Sequence, residues 1–170
     1  ISAWADNDDS CRKKITTTED IIRKTLGHLV YGEEDDEVED AAAKALLAAS
    51  ARLATVEAGT AGRVAALFAQ AAHRQNATGQ QFFCGGLVLP GLPGETSELI
   101  AAAKDIANSH NASVGMAIGP VRPSGVRHAV DVVVVNDGTP IVTEHILGGG
   151  GIAMSRAAKS AIDQIRRILL

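Results

Sequence analysis

Aromatic residues make up only 3% of this 170-residue chain, and its basic residues are scattered apart from the short run Arg12-Lys13-Lys14. Few rings means no platform for stacking bases, and no concentrated basic face means nothing to offset a nucleic-acid backbone. The formal net charge of −4 points the same way, so no nucleic-acid partner is expected. No apolar run reaches the roughly 18–20 residues that span a bilayer, so no membrane segment is expected. The N-terminus also lacks the basic, apolar and cleavage regions of a secretory signal. The two cysteines, Cys11 and Cys84, stand far apart in unlike contexts and outline neither a disulfide framework nor a zinc cluster. These absences together lead to the expectation of a cytoplasmic protein. The histidines, His28, His73, His110, His128 and His145, show neither HxH nor HExxH spacing, so neither a metal site nor a cofactor is expected.

What the chain does have is apolar content, 46%, enough for one substantial core. It opens on Ile1 rather than Met, which reads as a piece of a longer product. Ile1 to Ala5 could be a stub of strand, and the polar stretch Asp6 to Lys14 reads as an exposed turn or linker. Thr16 with Glu19 three residues on makes a capping-box signature, and Ile21, Ile22, Thr25, Leu26 and Leu29 then share a helical face. The acidic run Glu33 to Glu37 is read as a linker and the start of the next helix, because carboxylates suit a helix N-terminus.

From Val38 the pattern alternates. The alanine-rich Val38 to Ala51 fits a helix, Leu53 to Val56 a strand, and Arg63 to His73 a second helix. Phe82 to Leu89 reads as a strand, Pro90 to Gly94 as a loop, and Glu95 to Ser109 as a helix. Ser113 to Ile118 and Val130 to Val135 have strand length, the second apolar enough to be buried on both faces. Asn136-Asp137-Gly138 signals a hairpin that returns Pro140 to Leu147 antiparallel. Gly148 to Gly151 lead into a terminal helix with Ala158, Ala161, Ile162, Ile165 and Leu169 on one face. The expected fold is an α/β three-layer α/β/α sandwich with a mixed, mostly parallel sheet of about five strands, plus a short N-terminal helical extension. The expected division is 1–37 and 38–170.

Glu57 to Gly62 is the first candidate site. Small residues between a strand and a helix let a ligand approach backbone donors where the helix dipole favours an anion; the alternative is a simple turn. Gly148 to Gly151 leave a similar choice between an anion loop and a flexible joint. Ser97 and Ser155 suit helix capping, and neither they nor Ser124 lie in G-x-S-x-G. Cys84 could act as a nucleophile, or be a small buried residue of a strand.

The stretch Leu53-Ala54-Thr55-Val56-Glu57-Ala58-Gly59-Thr60-Ala61-Gly62 resembles L-A-T-A-E-S-C-T-G-G of the CinA C-terminal domain family. Leu26-Gly27-His28-Leu29-Val30-Tyr31-Gly32-Glu33-Glu34-Asp35-Asp36-Glu37 is similar to the L-G-x-x-x-[FY]-G-E-D-D-E segment that joins this domain to the upstream part of CinA proteins. The resemblance covers about Ile21 to Leu170. It implies an upstream CinA-type domain in the same chain, with Ile1 to Ala5 as its last strand, and self-association into a homo-oligomer. It also implies hydrolysis of the carboxamide of nicotinamide mononucleotide by the family serine, assisted by a tyrosine and a lysine.

The matching positions depart from that chemistry. Ala58 stands at the serine and Gly59 at the following cysteine; Pro90 stands at the tyrosine and Glu95 at the lysine. A methyl group has no oxygen to attack a carbonyl, and a carboxylate in place of an ammonium repels a phosphate and stabilises no oxyanion. The family's T-G-I-A-G-P loop is reduced to Ile118-Gly119-Pro120, and the G-D-R opening its last helix becomes Gly148-Gly149-Gly150. The expectation is therefore a catalytically degenerate domain, a binding or structural module with no catalytic residue. Its vestigial pocket is Glu57, Gly59, Thr60, Ala61, Gly62, Gly119 and Pro120, open to a nicotinamide nucleotide or another small anion. The alternative is an active amidohydrolase using Cys84 or Ser124 as a replacement nucleophile.

Overall fold

Asn7 sets the first helix: its side-chain Oδ1 accepts from the Ser10 N–H at 2.9 Å, with Asp8 and Asp9 in the first turn complementing the dipole. The resulting helix α1, Asp8–Leu26, begins well before Thr16 in this computed structural model, which describes residues 1–33, 35–75, 81–92, 94–149 and 151–170. Asp6 to Lys14 is thus mostly helical rather than a linker, and Ile1 to Ala5 forms no strand. Thr17 and Thr18 donate to the carbonyls of Lys13 and Lys14 one turn back, as hydroxyls inside a helix do. Gly27, at φ 52°, ends α1 and opens a 3₁₀ turn, Gly27–Leu29. No residue of α1 is buried.

The chain divides into two compact units, Ile1–Asp36 and Glu37–Leu170. The second holds α2 (Val38–Ala48), β1 (Leu53–Glu57), α3 (Arg63–Arg74), β2 (Phe83–Val88), α4 (Thr96–Ser109) and β3 (Val114–Ile118). After them come β4 (Arg122–Ser124), β5 (Arg127–Asn136), β6 (Thr139–Leu147) and α5 (Ala153–Ile168). β1 pairs parallel with β2 and β3, whereas β5 pairs antiparallel with β3, β4 and β6. The sheet is mixed as expected but has six strands, and antiparallel pairings outnumber parallel ones. The segment from Ile118 to Arg127 is itself a short hairpin arm, too brief for the crossover helix that a parallel return needs. β3 and β4 succeed one another along one edge of β5, while β6 runs along the other. Asp137 (φ 47°) and Gly138 (φ 76°) make the tight turn between β5 and β6.

Alternation along each strand separates two cores. Leu53, Met116, Ile118, Val130, Val132 and Val134 pack with Leu46, Phe68 and Ile162 on the side of α2, α3 and α5. Ala54, Val56, Ala117, Val133 and Val135 pack with Leu99, Ala103 and Ile106 of α4 on the other. This is the three-layer sandwich, with β5 buried from both faces. Small residues set the α4 spacing: a Cβ on Gly115 would lie 1.9 Å from the Ala103 carbonyl oxygen, so the helix backbone rests directly on the strand. Phe68 meets Phe82 edge-on at 5.9 Å, and each large buried side chain contributes about 1.5–3 kcal/mol.

A charged network anchors the first core. Glu39, almost fully buried, accepts from Lys159 Nζ at 2.6 Å and Arg74 Nη2 at 3.2 Å; Arg74 also pairs with Asp40 at 2.9 Å. Glu37, before α2, takes a second Lys159 contact at 2.9 Å. Burial disfavours the Lys159 ammonium, but hydrogen bonds to Glu39 and Glu37 outweigh it and hold its pKa above the ordinary value. The Arg74 pKa is likewise raised, chiefly by its hydrogen bond to Asp40.

Candidate functional site

The loop after β1 is shaped by its own acidic residue. Glu57 is buried at the end of the strand, and its Oε2 accepts from the Thr60 hydroxyl at 2.6 Å and the Val64 N–H at 3.1 Å. Its Oε1 accepts from the Ala65 N–H at 3.1 Å. Val64 and Ala65 are the second and third residues of α3, so the carboxylate occupies donors that the helix has no partner for. The expected anion cradle is modified accordingly: a ligand reaches those two donors only by displacing Glu57. Ala61 (φ 51°) and Gly62 (φ 80°) are both left-handed, and the Arg63 N–H closes the turn on the Thr60 carbonyl at 3.1 Å. Glycine meets that geometry freely; alanine is strained there.

Three segments meet at the carboxyl ends of the parallel strands, where ligands of open α/β sheets bind. Ala58, half-buried, donates its N–H to the Ile118 carbonyl at 3.0 Å. Gly59 lies against the backbone beyond β3: a Cβ there would stand 2.4 Å from Gly119 O and 3.0 Å from Val121 N. No side chain fits at Gly59 unless that loop moves. From β2, the Leu89 N–H donates to the Glu57 carbonyl at 2.9 Å, and Gly94 approaches Pro120 at the far end of the loop. The sequence-selected Glu57, Gly59, Thr60, Ala61, Gly62, Gly119 and Pro120 thus come together. Pro90 and Glu95 are exposed, Glu95 being the residue that precedes α4; Glu34, Pro93 and Gly150 lie outside the described residues.

The replacement nucleophiles stand elsewhere. Cys84 sits in a bulge of β2 beside Leu53 and Ala54, at the opposite end of β1 from Ala58, with Arg52 Nε 3.1 Å from its sulfur. Ser124 is exposed at the tip of the β4–β5 hairpin, in register with Arg127. At Gly148 the nearest atoms to an added Cβ belong to the end of the exposed Arg156 side chain, at 1.9 Å, which can move aside, so packing does not demand glycine there. Spacing alone does not single out Arg63, whose Nη1 donates to the Thr60 carbonyl at 3.2 Å and lies 3.7 Å from Met154 Sδ. The available signal is its place directly after Gly62, where α3 begins. Among the described residues no group of three His, Cys, Asp or Glu side chains is arranged to hold a metal ion, and no helix is long and apolar enough to cross a membrane.

The architecture and the loop cluster define an α/β three-layer domain with its candidate site at the strand ends. Its fold is that of the competence-damaged protein (CinA) superfamily. The structure superposes on a superfamily protein from Klebsiella pneumoniae with a TM-score of 0.66 at 18% identity, covering 81% of this chain and 98% of that one. It matches a superfamily protein from Escherichia coli at 0.52 and 15%, over 84% and 95%. For a competence/damage inducible protein from Agrobacterium tumefaciens the figures are 0.53 and 13%, over 81% and 97%. No family model matches the sequence, and no curated protein is significantly similar to it. The likeness is one of fold.

Proposed function

We propose that this is a catalytically degenerate CinA C-terminal-like domain, acting as a binding or structural module of a longer protein. The observation that carries the proposal is the occupant of the loop between β1 and α3: Ala58 presents a methyl group at the family's nucleophile position. The resemblance places the assisting tyrosine and lysine at Pro90 and Glu95, neither of which offers a proton donor or a positive charge to a developing oxyanion. Glu57 and Thr60 persist in this reading because they hold the loop and cap α3, a structural duty independent of catalysis.

The test is ammonia release from nicotinamide mononucleotide by the purified chain. The degenerate reading expects no turnover above the uncatalysed rate, while robust turnover overturns it in favour of an active amidohydrolase. A thermal-shift titration with nicotinamide nucleotides then separates the two kinds of module. A ligand that binds the folded state raises the melting temperature by mass action, and flat curves assign a structural role.

A further inference from the structure

The first three backbone N–H groups of α3 are all engaged. That of Arg63 bonds the Thr60 carbonyl at 3.1 Å, and those of Val64 and Ala65 both end on the Glu57 carboxylate at 3.1 Å. Glu57 also brings a negative charge to the place where a bound anion would otherwise sit. The loop therefore cannot receive an anion on bare helix donors, as helix N-termini commonly do.

One positive group stands at the same place. Arg63 is the exposed first residue of α3; its Nη1 donates to the Thr60 carbonyl at 3.2 Å and lies 3.7 Å from Met154 Sδ in the first turn of α5. Both contacts use Nη1, so the guanidinium is held beside the loop while Nε and Nη2 keep their donors. Among the described residues no carboxylate meets it, whereas Arg23, Arg74, Arg122, Lys159 and Arg167 each pair with one. A cation in the first turn opposes the helix dipole, and α3 has no acidic residue in that turn to offset it. An incoming oxyanion would relieve that opposition. We propose that Arg63 is the specificity-determining residue of this site, its Nε and Nη2 edge receiving an oxyanion of a small ligand, such as a phosphate, in the two-pronged geometry of a guanidinium. This assignment rests on the binding-module reading proposed above and names the ligand class of that module. It also moves the positive charge: Glu95 stands where the resemblance implies a lysine, and the cation comes instead from the start of α3. Val88, 55% exposed and packed close to Gly62, offers the body of such a ligand an apolar surface at the same loop.

Nuclear magnetic resonance titration of the full chain with nicotinamide mononucleotide, its phosphate-free nucleoside and inorganic phosphate tests it. The nucleotide is expected to bind at least about tenfold more tightly than the nucleoside, the effect of one charge-assisted contact. Inorganic phosphate is expected to displace the nucleotide, and the tighter of the two identifies the source of the anion. Arg63→Gln keeps a donor for Thr60 and removes the charge, so it should erase the preference for nucleotide over nucleoside. Arg63→Lys keeps the charge without the fork and should retain part of it. Circular dichroism and melting curves check that both variants fold. Equal affinity for nucleotide and nucleoside, an Arg63→Gln variant with its preference unchanged, or no binding of nucleotide or phosphate would overturn the proposal. Each of those results leaves the absence of catalysis standing, whereas ammonia release by the unsubstituted chain would overturn the degenerate reading and leave the role of Arg63 in place.

Discussion

The Thr60 hydroxyl donates to Glu57 Oε2 at 2.6 Å, and through that contact a loop that resembles a catalytic one is held as a helix cap. Replacing Thr60 with Val keeps the shape and removes the donor, leaving the buried carboxylate with its two backbone N–H partners. The expected loss is about 2 kcal/mol, the usual worth of a hydrogen bond to a charged group. Glu57→Gln should cost more, because its amide nitrogen would confront a donor that the carboxylate now satisfies. Urea unfolding of both variants reads these losses; two wild-type midpoints would show that the cap contributes nothing.

Ala61 occupies left-handed backbone at φ 51°, beside Gly62 at φ 80°. For a residue with a Cβ that conformation costs roughly 1–2 kcal/mol, partly offset by the greater unfolded-state freedom of glycine. Ala61→Gly is therefore expected to stabilise the domain by up to about 1 kcal/mol, seen as a rise in melting temperature. A lower melting temperature would mean that the alanine methyl has a packing role outweighing its backbone strain.

Much of the second unit is legible in the sequence because its burial is periodic. Continuous apolar runs mark β3 and β5, and Asn136-Asp137-Gly138 marks the hairpin. The start of α1 is illegible for the converse reason: with no residue buried, its polar first half carries no apolar period, and Thr16 offers a more conspicuous cap than Asn7. β4 escapes notice because it is three residues long and contains Pro123, tolerated where the strand ends in an exposed hairpin. At the site, the loop itself and the alanine at its second position can be read from adjacent residues. The cap by Glu57 cannot, since it spans seven and eight residues to Val64 and Ala65 and depends on how α3 folds back.

If the domain is degenerate as proposed, a hydroxyl at position 58 alone should not confer hydrolysis. Ala58→Ser supplies an oxygen, but Pro90 and Glu95 provide none of the assistance that the family resemblance assigns to those positions. Groups that act as a unit are lost as a unit, so the single variant is expected to show no ammonia release from nicotinamide mononucleotide above background. The triple variant Ala58→Ser, Pro90→Tyr, Glu95→Lys is the one in which turnover, if recoverable, should first appear. Activity from Ala58→Ser alone would mean that the remaining machinery is intact and that only the nucleophile was lost.

The Lys159 ammonium holds Glu39 and Glu37 together, and its raised pKa fixes the pH range in which that matters. A group whose folded pKa lies above its unfolded value contributes fully below the unfolded value, about 10.4 for lysine, and loses that contribution as pH rises through the folded one. Lys159→Met should therefore destabilise by a constant amount from neutral pH to about 10, and the gap to the unsubstituted chain should narrow at higher pH. Its size is expected to be about 1 kcal/mol, well below the cost of breaking a buried pair, because Lys159 is 36% exposed and screened by solvent and Arg74 still faces Glu39. Chemical denaturation between neutral pH and about pH 11 measures both. A gap that does not change with pH would assign the loss to side-chain packing of the lysine stem against α2 instead of to its charge.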